Sequence, residues 1–209
     1  MEIHQEIFKL LGIDLDIEKE RSSGKAALAD QNQLQAAQKN GYDFSVFIPG
    51  QISREEIIKK VQAYLSNSIL GAINFYTQDY LYSKAALKPL RPKNLYQILL
   101  KSQKEVSAAH PQTAGKSFDQ CQEILAQTNK TDPILNLKGL TLEEYLIAQV
   151  NLFNQKRDWF EAATTSWLLE EQINTVQNPN SCLRAYFRVN AIGVGACPVK
   201  SFRPKRGAR

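Results

Sequence analysis

The sequence predicts a mainly α fold, a single-domain helical bundle with a small β element. Three observations predict it. Capping boxes stand at Ser53, Ser117 and Thr141, each followed three residues later by Glu or Gln. Apolar residues recur at helical spacing through most of the chain, and one run, Leu183 to Val189, alternates apolar and polar residues with period two. At 209 residues, with 43% hydrophobic and 22% charged residues, the composition is that of an ordinary globular chain. Such a length buries a core that needs neither metal nor disulfide.

The elements follow in order. Ile3, Ile7, Leu10 and Leu11 share one side of a first helix, and Gly12 stands where a glycine ends one. Ile13 to Glu18 alternates apolar and acidic residues, as a short strand or a connector does. Ser22, Ser23 and Gly24 break the pattern. Lys25 to Lys39, rich in Ala and Gln, reads as a helix with little to bury and a candidate partner surface. Tyr42 to Ile48, bounded by Gly41 and by Pro49 and Gly50, reads as a strand. The Ser53 box then opens a long helix through Ile58, Val61, Leu65, Ile69, Ala72, Ile73, Tyr76 and Tyr80 to about Ala86, with Ser66 to Ser68 or Gly71 as points of interruption. Pro89 and Pro92 end it, and Leu95 to Val106 begins another helix.

The boxes at Ser117 and Thr141 start the two firmest helices, the first carrying Cys121, Ile124 and Leu125 and the second Tyr145, Leu146, Ala148, Leu152 and Phe153. Trp159 to Ile173 reads as a last helix. After Pro179 comes the period-two strand; Gly193 and Gly195 permit a turn, and Val199 to Phe202 returns as its partner. The strand near residues 43–48 is available to pair with this hairpin. Residues 1–175 thus form a helical body, with 176–209 a C-terminal β-hairpin and basic tail packed on it. The expected core comprises Ile58, Val61, Leu65, Ile69, Leu146, Phe153, Trp167 and Leu168.

The formal net charge of +5 is unevenly placed. Glu171 is the last acid, and beyond it lie Arg184, Arg188, Lys200, Arg203, Lys205, Arg206 and Arg209. A second acid-free stretch contains Lys84, Lys88, Arg91, Lys93, Lys101 and Lys104. Bases without neighbouring acids raise the local potential and favour polyanions. Lys84, Lys88, Arg91, Lys93 and the seven C-terminal bases are therefore the candidate contacts for a protein partner or nucleic acid. The competing reading is a solvated helix face and a solubilising tail.

No motif names an activity. His110 to Ser117 ends in Gly115, Lys116 and Ser117 like a phosphate-binding loop, but His110 replaces the first glycine and the preceding segment reads as helix. A connector followed by a capping serine explains the same letters. Cys121, Cys182 and Cys197 with His4 and His110 give neither metal-ligand spacing nor a thiol activated by an adjacent imidazole. The acids from Asp14 to Glu20 lack the glycine of a calcium loop. The pairs Glu55 and Glu56, Glu143 and Glu144, and Glu170 and Glu171 diverge by about 100° on a helix instead of converging. Tyr145, Phe153, Trp159, Phe160 and Trp167 with Lys156 and Arg157 would suit base stacking, although core packing accounts for them more simply.

The sequence therefore assigns no catalytic, cofactor-binding or metal-binding residue, and no cofactor. Its first reading is a non-enzymatic intracellular adaptor or assembly protein, with a helical scaffold and a basic C-terminal contact arm. A nucleic-acid-binding accessory protein is the alternative, and an enzyme with a dispersed site the second. Two carboxylates near the N-terminus, no long apolar run and three unpatterned cysteines predict a cytoplasmic protein without a membrane segment.

Overall fold

Short-range chemistry sets the helix starts. Ser117 Oγ accepts from the Gln120 amide and Thr141 Oγ1 from the Glu144 amide, and in each case the glutamine or glutamate side chain accepts in return from the capping residue's N–H. Ser53 Oγ accepts from the Glu56 amide at 3.2 Å. A fourth box, Asp30 with Gln33, escapes the sequence reading.

The computed structural model describes residues 2–67, 72–75, 91–101, 113, 115–157, 165–173, 180–188, 191–200 and 206–208. In chain order these form α1 (Glu2–Leu10), α2 (Ile17–Ser22), α3 (Gln31–Lys39), β1 (Phe44–Pro49), α4 (Arg54–Asn67), β2 (Ala72–Phe75), β3 (Leu95–Leu100), α5 (Phe118–Thr131), α6 (Leu142–Lys156), β4 (Thr165–Ile173), β5 (Ser181–Arg188), β6 (Ala191–Pro198) and β7 (Arg206–Ala208). This is a mixed α/β fold and not a mainly α helical bundle. Strands β1 and β3 form an antiparallel pair, and the other five form a sheet in the order β2, β6, β5, β4, β7. Within that sheet β5 runs antiparallel to both neighbours, while β2 lies parallel to β6 and β7 parallel to β4.

Five sequence expectations are corrected. The helix from Ser53 ends at Asn67, and Ala72 to Phe75 is a strand beside β6. Leu95 to Leu100 is strand β3 and not a helix start, and Thr165 to Ile173 is strand β4 and not the last helix. The strand at 44–49 pairs with β3, and not with the C-terminal hairpin, whose return strand is Ala191 to Pro198 instead of Val199 to Phe202. The physical reason is common to all five. Short apolar runs such as Leu95 to Leu100 fit a buried strand or a buried helix turn equally, and a distant pairing partner decides between them. Between residues 25 and 39 the helix occupies only α3, because Asp30 caps it and Ala27 bridges to Tyr96 in parallel.

The core is organised around α6. Leu142 and the nine residues from Glu144 to Leu152 are buried, so no face of the helix reaches solvent there. Helices α1 and α4 and strands β1 and β4 pack on it. Its polar residues find partners: His4 Nδ1 donates to Asn151 Oδ1 at 2.9 Å, and Gln149 Nε2 donates to the Tyr145 hydroxyl at 2.6 Å. Of the expected core, Ile58, Val61, Leu65, Leu146 and Leu168 are buried and Phe153 packs at its margin; Ile69 and the Trp167 side chain lie outside what is described. Leu183, Ala185, Ile192 and Val194 of the hairpin belong to the same core cluster as α6. Among the described residues no helix is long and apolar enough to cross a membrane.

Gly50 couples this frame to the site. Its N–H donates to Asn94 O at 3.2 Å, and a Cβ there would meet the main-chain oxygens of Pro92 and Asn94. Only a residue without a side chain lets the approach to β3 run so close to the end of β1.

Candidate functional site

A half-open cleft of about 310 Å³ lies beside β3. The volume falls at the small end of the range typical of ligand sites. Its lining comes from Ala27 to Ala29, from Gln33 and Ala37 of α3, from Leu125 of α5 and from the loop Leu135 to Leu140. Strand β3 contributes Tyr96 to Leu100, and most of the exposed lining is apolar. Leu28 is 38% exposed at this edge, and Ile134, next to the lining loop, is 50% exposed.

An ionisable cluster lies on the inner side. Glu144, at the third position of α6, is fully buried and accepts three hydrogen bonds through its two oxygens. Oε1 accepts from the Tyr96 hydroxyl at 2.9 Å; Oε2 accepts from Arg91 Nη2 at 3.0 Å and from the Thr141 N–H at 2.8 Å. Arg91 Nη2 also donates to Gly139 O at 2.7 Å, which ties the lining loop to the cluster, while its buried Nε has no partner. Burial raises the Glu144 carboxyl above its ordinary pKa in spite of these donors, and burial next to that carboxyl raises the Tyr96 phenol. Glu143, one residue earlier, turns instead to Arg54 Nε at 2.8 Å, so the pair diverges as helix geometry requires. At the other end of the cleft Lys101 Nζ lies 5.1 Å from the centroid of the Tyr42 ring, whose phenol burial pushes up to about 12.

Beside α5 the chain's three thiols gather with Phe118 in a second buried cluster. Cys182 and Cys197 stand opposite each other on β5 and β6, and Cys182 Sγ donates to Cys197 O at 3.4 Å. Burial pushes the Cys121 thiol up to about 12, the reverse of what activates a nucleophile. Among the described residues no group of three or more His, Cys, Asp or Glu is arranged to hold a metal ion. Gly115 takes a φ of +73°, Lys116 is exposed and Ser117 caps α5, which makes this stretch a connector and a cap.

The basic residues nominated from sequence are dispersed. Arg91 is drawn into the Glu144 cluster, and Lys93 is exposed in the approach to β3. Arg184 lies on β5 with its guanidinium 5.6 Å from the Tyr186 ring, and Lys200 is exposed just after β6. The backbone of Arg188 ends β5, and that of Arg206 begins β7 in register with Thr165, itself opposite Tyr186. Lys84, Lys88, Arg203, Lys205 and Arg209 lie outside the described residues. The sequence did not nominate Tyr42, Tyr96, Gln97 or Glu144. For Glu144 the capping box was a visible signal, but nothing local announces that the same carboxylate meets an arginine 53 positions earlier.

Neither a family model, nor a curated protein, nor a solved structure matches the chain.

Proposed function

We propose that the protein is a non-enzymatic adaptor that binds a partner protein, with the cleft beside β3 as the principal seat. The basic C-terminal segment from Arg184 to Arg209 adds an electrostatic contact. The observation that carries this reading is the cleft itself: an apolar lining over a carboxylate whose two oxygens are already engaged by Tyr96, Arg91 and Thr141. A general base needs a lone pair aimed at substrate, whereas here the charged groups hold the wall in place. The reading puts the adaptor in a reducing, cytoplasmic compartment, in keeping with three buried cysteines that form no disulfide.

Panning a random displayed-peptide library against the full chain tests it, with Ala29→Trp as a cleft-filling counter-selection. The expected result is enrichment of peptides that bind the wild type and lose binding to the variant. Enrichment of nothing, or of peptides indifferent to Ala29→Trp, overturns the cleft as the seat.

A second reading, nucleic acid at the C-terminal segment, has one observation in its favour. The five-stranded sheet puts Arg184, Tyr186 and Arg188 on one strand and the backbone of Arg206 two strands away, in the register row of Tyr186. Oligonucleotide affinity that falls steeply with salt, and a slope that flattens on deleting residues 203–209, would favour this reading over the first.

A further inference from the structure

We infer that the partner is presented to the cleft as an extended peptide, apolar and acidic in alternation, which adds as a strand to the outer edge of β3. This rests on the adaptor reading above and names the ligand of the same cleft.

The edge follows from the ladder. Ala27 donates its N–H to Leu95 O at 2.8 Å and accepts from Gln97 N–H at 3.0 Å, so the odd-numbered residues of β3 direct their main-chain groups away from β1. Tyr96, Ile98 and Leu100 then direct theirs toward Ile48, Val46 and Phe44. Beyond Ala27 the neighbouring chain turns off. The Ala29 N–H donates to the Gln97 side chain at 3.2 Å instead of to a main-chain carbonyl of β3, and Gln97 is itself held by donating Nε2 to Ser45 Oγ at 2.8 Å. Among the described residues, no strand pairs with this edge past Gln97, which leaves the Gln97 C=O and both main-chain groups of Leu99 open beside the cleft. Ile98, Leu99 and Leu100 all line it. An unpaired edge of this kind is a template for main-chain pairing, and pockets for alternate side chains supply specificity.

Charge and surface select the peptide. The lining carries Arg91, Lys101 and Lys138 against one carboxylate, Glu144, which Arg91 already neutralises. Carboxylates on a peptide complement that excess. Successive residues of a strand point to opposite faces, so an alternating peptide sets its apolar side chains on the lining and its acids toward the exposed Lys138.

Fluorescence anisotropy with the full-length chain provides the test. The probes are a labelled decapeptide alternating valine and glutamate, its valine and lysine counterpart, and the glutamate peptide with every amide N-methylated, which leaves neither edge able to donate. The variants are Leu99→Pro, which removes the outward N–H where a strand edge tolerates proline, and Lys138→Glu. The wild type should bind the glutamate peptide more tightly than the lysine peptide. Leu99→Pro should weaken binding about tenfold, the loss of one well-made hydrogen bond in a shielded site, and N-methylation, which removes the donors to both the Gln97 and Leu99 carbonyls, should weaken it further. Lys138→Glu should narrow or reverse the preference between the two peptides. If the N-methylated and parent peptides bind alike, strand addition is overturned while the adaptor reading stands on the library result, and this holds even should Leu99→Pro fail to fold. A preference for the lysine peptide overturns the acidic assignment. If the wild type self-associates in sedimentation and Leu99→Pro does not, a second copy of the chain occupies the edge and the partner peptide is overturned.

Discussion

The cleft and the thiol cluster meet at Leu125 of α5, which lines the one and packs against the other, yet they bury polar atoms in opposite ways. On the cleft side a carboxylate, a guanidinium and a phenol are taken out of water together, and each depends on the others for its hydrogen bonds. On the thiol side Cys121, Cys182 and Cys197 sit with Phe118 as small, weakly polar groups that need few partners. The first arrangement fixes a particular geometry, because removing any member strands the rest. The second fills space. That difference explains why the polar cluster is the one that braces a cleft wall, through Arg91 and the Gly139 carbonyl.

The largest effect should come from breaking the polar cluster at its centre. Glu144→Ala leaves Arg91, Tyr96 and the Thr141 amide without their acceptor, and should cost about 3–5 kcal/mol in chemical denaturation. A loss below about 1 kcal/mol would show that water replaces the carboxylate and that the cluster does not brace the wall. Leu146→Ala, two residues along the same buried helix, sets the scale for apolar packing at about 2–5 kcal/mol. A change below about 0.5 kcal/mol there would mean that α6 is not the centre of the core.

Gly50→Ala should cost about 1–3 kcal/mol by overpacking, because the methyl meets backbone oxygens that cannot rotate away. A fully stable variant would show that the end of β1 and the approach to β3 separate freely. In the thiol cluster Cys121→Ala should cost only about 1 kcal/mol, near the value of one buried methylene. A loss equal to that of Glu144→Ala would erase the contrast between the two regions.

The smallest effect is on pH dependence, and its sign is fixed by the direction of each shift. The Glu144 carboxyl is raised above 4.5 in the folded chain, which then holds a proton the unfolded chain has released. Its contribution is therefore whole below pH 4.5 and declines as pH rises through the raised value. His4 acts oppositely. Burial lowers it from 6.5, so stability falls as pH drops through 6.5 toward the lowered value. Glu144→Gln should remove the first slope and His4→Gln the second, as read by thermal melts across the pH range. Unchanged slopes in both variants would assign the pH dependence to other groups.

Helix starts were legible because their chemistry is local. Ser117 with Gln120 and Thr141 with Glu144 each lie within one turn, and the reciprocal bonds form whatever the rest of the chain does. The strand at Phe44 to Pro49 and the alternation at Leu183 were legible for the same reason, being bounded by turn residues. The pairing of those strands was not. Leu95 to Leu100 and Thr165 to Ile173 carry no period that separates a buried strand from a buried helix, and their partners stand 46–56 and 8–21 residues away in sequence. Glu144 shows the limit most clearly. The sequence determined that it caps a helix; the tertiary structure alone decided that it is buried against Arg91 and Tyr96, because desolvation and long-range pairing depend on what folds over a residue and not on its neighbours in the chain.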